Sequence, residues 1–240
     1  MKQGLVMLMA WLLPALAWGG DLMVDMLEVG QGDAFLLTSP AGRRVLIDGG
    51  TSRSEVAAQL QRMGVTELGM VIASHPHADH IGGLNEVLET FPVTTYIDNG
   101  MTHTTRTYDT LMTTVERLDL TYRSALAGQV YRLDDDITLT ILWPTERKLT
   151  GTRSDLNSNS VVVRVDHGED CFLFTGDAED PSERALMRQE LQTCDVLKVA
   201  HHGSNHSTSS LFLSKVQPRI ALVSLGADNK YGHPGDETMR

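Results

Sequence analysis

Apolar residues along this chain fall mostly in short runs, each bounded by Gly, Pro, Asn, Asp or Ser. Runs of this length that contain β-branched and aromatic residues are typical of β-strands. The pattern predicts strands at residues 22–28, 35–37, 44–47, 70–73, 94–97, 129–133, 137–142, 161–165, 172–174, 196–199 and 220–224.

Other segments have apolar residues three or four positions apart, which is the spacing of one helix face. They predict helices at residues 54–63, 84–91, 107–118, 181–191 and 209–215. Residues 145–159 are polar and rich in turn-forming residues, so we expect a long surface loop that borders a cleft. Each half of the chain combines a strand meander with strand–helix alternation, which predicts a mixed α/β (α+β) fold.

Polar side chains follow four of the predicted strands, close to their carboxyl ends. Asp48 follows residues 44–47, His75 follows 70–73, Asp177 follows 172–174 and His201 follows 196–199. Open α/β sheets bind their ligands at this edge. We therefore expect one site to gather these side chains.

The segment from His75 to His80 holds three imidazoles and one carboxylate. In an extended chain alternate side chains share a face, so His75, His77 and Asp79 can point one way while His80 turns with the chain. A polar loop without function is the alternative, but chance rarely supplies this density of ligand-type residues. Imidazole and carboxylate suit zinc, manganese or iron. The four donors could serve two ions, His75 with His77 on one and Asp79 with His80 on the other.

Composition limits the range of partners. The 240-residue chain has a formal net charge of −11 and 5% aromatic residues. This balance argues against a broad basic surface for duplex DNA and against a base-stacking platform, although bound metal ions would supply positive charge locally. The sequence has no Gly-x-Ser-x-Gly, no Walker loop and no Rossmann glycine pattern, so a serine hydrolase or a nucleotide-binding protein of those types is not expected.

The N-terminus is typical of a secretory signal peptide. Lys2 precedes an apolar run over residues 5–18, and small residues suited to cleavage lie at 15–17 and 17–19. The run is short for a membrane helix, and an uncleaved anchor is the alternative. We expect residues 1–19 to be a signal peptide and residues 20–240 to be the mature domain, periplasmic or secreted and without a transmembrane segment.

Export also bears on the two cysteines. Cys171 and Cys194 each precede an apolar, strand-like run. If these two strands are parallel neighbours, the thiols begin level with one another, and an oxidising compartment permits a disulfide. Two buried thiols are the alternative.

Several motifs resemble a known family. Asp48-Gly49, the His75–His80 cluster and Gly176-Asp177 resemble the metallo-β-lactamase superfamily. Residues 29–34, 198–204 and 231–234 are similar to the hydrolase domain of ComEC-type competence proteins. The similarity extends over residues 22–234. It implies a four-layer αββα sandwich with a dinuclear metal site.

The resemblance also implies a role for each matching position. His75 and His77 would bind the first metal ion, Asp79 and His80 the second, and Asp177 would bridge the two. Asp79 and Asp177, together with His202, are the residues implied to be catalytic. The implied cofactor is a pair of divalent ions, zinc before manganese or iron.

The remaining roles stay open. His202 and His233 are both expected near the site, one as a metal ligand and the other in contact with the leaving group or the oxyanion. His201 is expected to be structural. Asp48 is expected to orient a ligand histidine, although direct ligation is the alternative. Asp33 could act in the same way or simply belong to the turn after Gly32.

The chain departs from the superfamily at one point. The segment before the bridging aspartate usually supplies a third histidine to the first metal, but residues 157–161 contain none. Asn157, Asn159 or water could complete that site, and occupancy by a single metal is the alternative. Three further histidines, His103, His167 and His206, are expected to be exposed. The Lys198 side chain is expected to reach the surface, and approach to the substrate from its buried strand is the alternative.

These observations predict an exported metal-dependent hydrolase, namely a phosphodiesterase or nuclease that uses a metal-activated hydroxide. Its substrate would be single-stranded DNA or a smaller phosphodiester, without stable binding of duplex DNA. The alternatives are a hydrolase for a lactam, a lactone or a phosphocholine ester, and a non-catalytic binding module with a vestigial metal site. Family members generally continue with another helix and strand, so we expect the chain to be truncated at Arg240. The sequence predicts no oligomeric state.

Overall fold

The computed structural model of the protein describes residues 20–189 and 191–239. The predicted signal peptide at residues 1–19 lies outside the described residues. Among the helices that the structure describes, none combines the length and the apolar character needed to cross a bilayer.

The first half of the described chain forms a six-stranded sheet whose strands lie in sequence order. The strands β1 to β3 are antiparallel, and β3 to β6 are parallel. They are β1 (Met23–Met26), β2 (Phe35–Thr38), β3 (Arg44–Ile47), β4 (Leu68–Ile72), β5 (Val93–Asp98) and β6 (Thr121–Ser124).

The second half forms another six-stranded sheet, in which antiparallel strands are again followed by parallel ones. The strands β7 to β10 form an antiparallel meander, and β10 to β12 are parallel. They are β7 (Val130–Arg132), β8 (Ile137–Trp143), β9 (Val162–His167), β10 (Asp170–Phe174), β11 (Val196–Lys198) and β12 (Ile220–Leu222).

Short helices connect the parallel strands and flank the sheets. They are α1 (Val56–Arg62), α2 (Ala78–Ile81), α3 (Leu84–Thr90), α4 (Arg106–Arg117), α5 (Asp155–Ser158), α6 (Asp180–Leu186) and α7 (Ser210–Val216), with a 3₁₀ helix at Ala200–Gly203.

Three apolar clusters define the layers. One lies between the two sheets and contains Phe35 and Ile47 from the first sheet and Leu139 and Phe174 from the second. The second cluster packs the outer face of the first sheet against α1, α3 and α4. The third packs β10 and β11 against α6 and α7. This arrangement confirms the predicted four-layer αββα sandwich.

The parallel strands bring the polar clusters to one edge. β3 ends at Ile47 level with Ile72 of β4, and β10 is the parallel neighbour of β11. The residues that follow these strands, from Asp48 after β3 and from Val199 after β11, leave the two sheets at the same side of the sandwich, where His80 Nε2 and Asp177 Oδ1 lie 3.2 Å apart. The predicted gathering of strand ends follows directly from this topology.

The short helix α2 and the 3₁₀ helix were not predicted, and the structure differs from the prediction at three further places. β6 was not predicted, because its sequence Thr-Tyr-Arg-Ser is largely exposed and lacks an apolar pattern. The predicted loop 145–159 contains α5, which Ser154 caps by accepting a hydrogen bond from the Asn157 backbone N–H. The predicted helix 181–191 is shorter, since α6 ends at Leu186.

Cys171 and Cys194 form a disulfide, so the first of the two alternatives is the one the structure adopts. Both residues are buried in the cluster beneath α6 and α7. The bond joins the start of β10 to the segment before β11, and these two strands lead to Asp177 and to His201 and His202. The disulfide thus fixes two site-bearing strands relative to each other.

Removing this bond should destabilise the protein without unfolding it. Because it closes a loop of 23 residues in sequence separation, loop entropy predicts a loss of about 3 kcal/mol in the free energy of unfolding for the Cys171→Ala/Cys194→Ala double variant. Urea denaturation monitored by circular dichroism measures this loss. An unchanged midpoint in both the double variant and the reduced wild type would contradict a structural disulfide.

Candidate metal centre

The His75–His80 segment lies where β4 ends and α2 begins. His75 and His80 are buried, whereas His77 and Asp79 are half-buried. The Nε2 atom of His75 lies 2.9 Å from the Nδ1 atom of His77. Two ring nitrogens at this separation can share a single ion.

Asp177 lies at the centre of the site and is 2% exposed. Its Oδ1 atom is 3.2 Å from Nε2 of His80 and 3.7 Å from Nε2 of His202. Its Oδ2 atom is 3.7 Å from Nε2 of His75 and 3.7 Å from Nε2 of His201. The two oxygens of one carboxylate therefore face two different pairs of imidazoles, which is the geometry a bridging ligand needs.

Two groups of ligand atoms that include His202 are compact. Asp79, His80 and His202 offer atoms within 4.8 Å of one another, and so do Asp33, Asp177 and His202. Nε2 of His80, Nε2 of His202 and Oδ1 of Asp177 are buried and have no hydrogen-bond partner within the described part of the chain. Buried polar atoms without partners are costly. Nitrogen and oxygen donors that converge in this way fit a divalent ion such as zinc.

Hydrogen bonds fix the orientation of both ligand imidazoles. The Nδ1–H group of His80 donates to Oδ2 of Asp48 over 2.8 Å, and the Ser74 backbone N–H and hydroxyl hold that carboxylate at 2.7 Å each. The Nδ1–H group of His202 donates to the carbonyl oxygen of Ser224 over 2.9 Å. These contacts direct the Nε2 atoms toward Asp177. Asp48 therefore lies where the resemblance implies an orienting residue.

Lys198 corrects one expectation. Its side chain does not reach the surface: it is 2% exposed, forms an ion pair with Asp33 and donates from Nζ to the Gly176 carbonyl oxygen over 2.8 Å. Nζ also lies 3.9 Å from Oδ1 of Asp177. The expectation that the Lys198 side chain reaches the surface was wrong. Lys198 ends a buried parallel strand, and its neighbours there are the carboxylates of the site. The signal available in the sequence was a lysine in an apolar run, three residues before His201.

Asp33 is more than a turn residue. It is 1% exposed, and Oδ1 lies 3.5 Å from Nδ1 of His202 while Oδ2 faces Lys198. Its backbone carbonyl accepts a hydrogen bond from Gly50 over 2.7 Å. Asp33 thus connects the turn before β2 to both His202 and Lys198.

Of the two asparagines considered for the first metal, Asn159 is excluded by its contacts. Its amide nitrogen donates to the carbonyl oxygens of Leu149 and Asp155, and its oxygen accepts from the Leu149 backbone N–H. Those bonds hold the loop before β9 and direct the amide away from the site. Asn157 donates to Oε1 of Glu179 over 3.2 Å and lies 3.5 Å from the His201 ring.

The other histidines lie around this centre. His233 stacks on Tyr231 and lies beside His201, with ring centroids 5.6 Å apart, so its role as a ligand stays a prediction. His206 is exposed, as expected. His103 and His167 are half-buried rather than exposed. The ring of His103 faces His77 at 5.8 Å, and Nε2 of His167 lies 3.3 Å from Oδ2 of Asp136 at the far end of β9.

A sequence profile described as the metallo-beta-lactamase superfamily matches residues 27–227, which is most of the chain. This chain belongs to that superfamily. The fold accordingly implies binding of divalent metal, and the converging His and Asp side chains are residues that could hold it.

Within the superfamily, the curated relatives include competence and recombination proteins. Recombination protein 2 of Haemophilus influenzae is 35% identical over 90% of this chain. ComE operon protein 3 of Bacillus subtilis is 28% identical over 98% of this chain. The matches span only 26% and 32% of these two relatives. The chain is therefore similar to about a quarter to a third of each relative's length.

Solved structures agree on the fold. The metallo-beta-lactamase fold protein YhfI from Bacillus subtilis has a TM-score of 0.59 at 14% identity and covers 91% of this chain and 92% of its own. A diphosphatase from the PhnP family has a TM-score of 0.51 at 17% identity and covers 87% of this chain and 76% of its own. At these identities the likeness concerns the fold alone.

The charges of this superfamily site balance one another in the metal-free protein. Burial opposes ionisation of Asp177, yet His80 and His202 hold the pKa of its carboxyl well below the usual value. Burial likewise disfavours the charged form of His202, but Asp177 and Asp33 raise its pKa to about 9. Protonated imidazoles therefore supply the positive charge that the carboxylates need. A bound metal would take their place and release the protons.

The metal-free protein should lose stability as pH rises from about 6.5 to about 9. The folded pKa of His202 is about 9 against an ordinary 6.5, so its stabilising charge is complete below 6.5 and is lost as the ring deprotonates. Urea denaturation of chelator-treated protein measures the decline, and His202→Gln should flatten it while His206→Gln should not. Metal-induced stabilisation should grow over the same range. Stability of the metal-free wild type that does not change with pH would contradict this balance.

Proposed function

We propose that this chain is a metal-dependent phosphodiesterase of the cell exterior or periplasm, acting on single-stranded DNA or a smaller phosphodiester. The observation that supports it best is the Asp177 carboxylate, whose two oxygens face separate pairs of imidazoles. We propose two divalent ions there, zinc before manganese or iron. Bound divalent ions lower the pKa of a coordinated water toward neutrality and stabilise charge that develops on a phosphoryl oxygen.

The chain's own side chains would hold and orient this centre. Asp177 would contact both metal ions. Asp79, His80 and His202 would complete the more buried of the two metal sites. Asp48 holds the His80 ring in one tautomer. His233 is half-buried beside His201, so we assign to it the contact with the leaving group or the developing oxyanion.

We assign the substrate to a groove beside Asp79. It has a volume of about 410 Å³, and its walls include Gln31, Thr51, Asn229, Lys230 and Tyr231. The Tyr231 side chain is 59% exposed, and Nζ of Lys230 lies 5.4 Å from its ring centroid. An exposed ring next to a cation can stack a base and attract a phosphate. The chain thus offers local positive charge despite its net charge of −11.

The names of the relatives favour a phosphorus-containing substrate. One is named a recombination protein, and recombination acts on DNA, which is a phosphodiester polymer. A lactam, lactone or phosphocholine ester is the alternative substrate, and a binding module with a vestigial metal site is the alternative function. Several overlapping groups of buried or half-buried His and Asp side chains could hold an ion, which argues against a vestigial site.

A substrate panel tests the proposal. Mature protein loaded with zinc or manganese should hydrolyse bis-p-nitrophenyl phosphate and should cleave labelled single-stranded DNA faster than the duplex of the same sequence. Asp177→Ala should reduce both activities to background, because it removes the ligand common to both halves of the site. Asp135→Asn, an exposed carboxylate, is the matched control and should retain activity.

Two outcomes would contradict the phosphodiesterase. Hydrolysis of a chromogenic lactam alone would transfer the chain to the first alternative. A protein that retains no zinc, manganese or iron, and turns over none of the substrates after reconstitution, would favour the binding module.

Tyr231→Ala should weaken the use of long substrates more than that of short ones. Loss of one stacked base corresponds to about 1–3 kcal/mol, or roughly a 5- to 150-fold rise in KM for an oligonucleotide. Methyl p-nitrophenyl phosphate has no flanking nucleotide, so its KM should rise much less. Tyr231→Phe preserves the ring and should resemble the wild type. Equal losses on both substrates in Tyr231→Ala would contradict a stacking role.

A further inference from the structure

We propose that His201 supplies the third imidazole of the first metal ion, the position for which residues 157–161 contain no histidine. The inference rests on the metal centre of the proposed function. It replaces the sequence-based interpretation of His201 as structural, and it makes the site dinuclear without help from Asn159.

Three distances between donor atoms near Oδ2 of Asp177 support this assignment. His75 and His201 each place Nε2 at 3.7 Å from Oδ2 of Asp177, and Nδ1 of His77 lies 2.9 Å from Nε2 of His75. Donor atoms bound to one tetrahedral zinc at about 2.0–2.1 Å lie roughly 3.3 Å apart. The observed separations are close to that value. His75 and His201 therefore flank the same carboxylate oxygen, with His77 beside His75.

The contacts of the other ring nitrogen support the same orientation. Nδ1 of His201 lies 3.4 Å from Oε1 of Glu179, which is 2% exposed. Glu179 is itself held by the capping box at the start of α6 and by the Asn157 amide at 3.2 Å. A buried carboxylate behind an imidazole is the usual partner of a metal-bound histidine. Asn157 lies in the segment expected to provide the missing histidine, and it acts instead on Glu179.

The backbone explains how two adjacent histidines reach one carboxylate. His201 and His202 both have left-handed conformations, with φ of 48° and 53°. Non-glycine residues rarely adopt this region, and consecutive ones are costly unless the surroundings hold them. Here the His201 backbone N–H donates to the Gly176 carbonyl oxygen over 3.1 Å. The turn sends His202 to Oδ1 of Asp177 and His201 to Oδ2.

Metal counting on His201→Gly tests the assignment. Glycine suits the positive φ, so this variant removes the imidazole without adding backbone strain. After equilibrium dialysis against buffered zinc, the wild type should hold two ions per chain and His201→Gly one, measured by plasma mass spectrometry. Added free imidazole should restore the second ion. His206→Gly, which removes an exposed histidine, is the control and should hold two.

A second variant tests the orienting contact. Glu179→Gln preserves the size of the side chain and its ability to cap α6, but it removes the charge behind His201. The affinity for the more weakly held ion should fall about 10- to 100-fold. The other ion, held by Asp79, His80 and His202, should keep its affinity.

Several outcomes would overturn the inference. One is a wild type that holds a single ion, and another is a His201→Gly variant that holds two ions with unchanged affinity. The third is a zinc-loaded crystal structure of the wild type in which His201 Nε2 is not bonded to metal. The crystal structure needs no variant that folds. Metal counting needs no substrate. Two ions without hydrolysis would therefore contradict only the proposed function, whereas hydrolysis by a His201→Gly protein that still holds two ions would contradict only this assignment.

Discussion

Negative charge buried at one edge of the sandwich requires cations close by. Asp33, Asp48 and Asp177 are at most 2% exposed, and the half-buried Asp79 lies beside them. Uncompensated charge in a protein interior is expensive, so this cluster can exist only where cations are supplied. Lys198 and the imidazoles supply them in the metal-free chain, and metal ions would do so in the loaded protein. The sandwich positions all of these groups because its parallel strands end at one edge.

Much of the fold and of the candidate site could be predicted from sequence, because the residues that indicate each element lie close together in the chain. Strands such as β3 and β10 are short apolar runs, and each is followed by its functional aspartate. The His75–His80 segment contains its four ligand-type residues within six positions, so no knowledge of tertiary structure was needed to find it. The resemblance to the superfamily added the four layers, which periodicity alone does not determine.

The features that the sequence did not predict depend on contacts between segments that are distant in the chain. Lys198 meets Asp33 only when β11 and the turn before β2 come together, and nothing beside either residue indicates that pair. His201 and His202 differ in the side of Asp177 that they reach, which the left-handed backbone decides. β6 is held by its pairing with β5 rather than by its own side chains. In each case the deciding interaction is absent from the local sequence.

The metal content of Asp177→Ala beside that of the wild type, both after dialysis against buffered zinc, tests the bridging role of Asp177 most directly. If one carboxylate joins two ions, the wild type holds two and the variant, which loses a ligand from each, holds at most one with weakened affinity. Two ions retained by Asp177→Ala with wild-type affinity would contradict the bridging role and the dinuclear centre built on it.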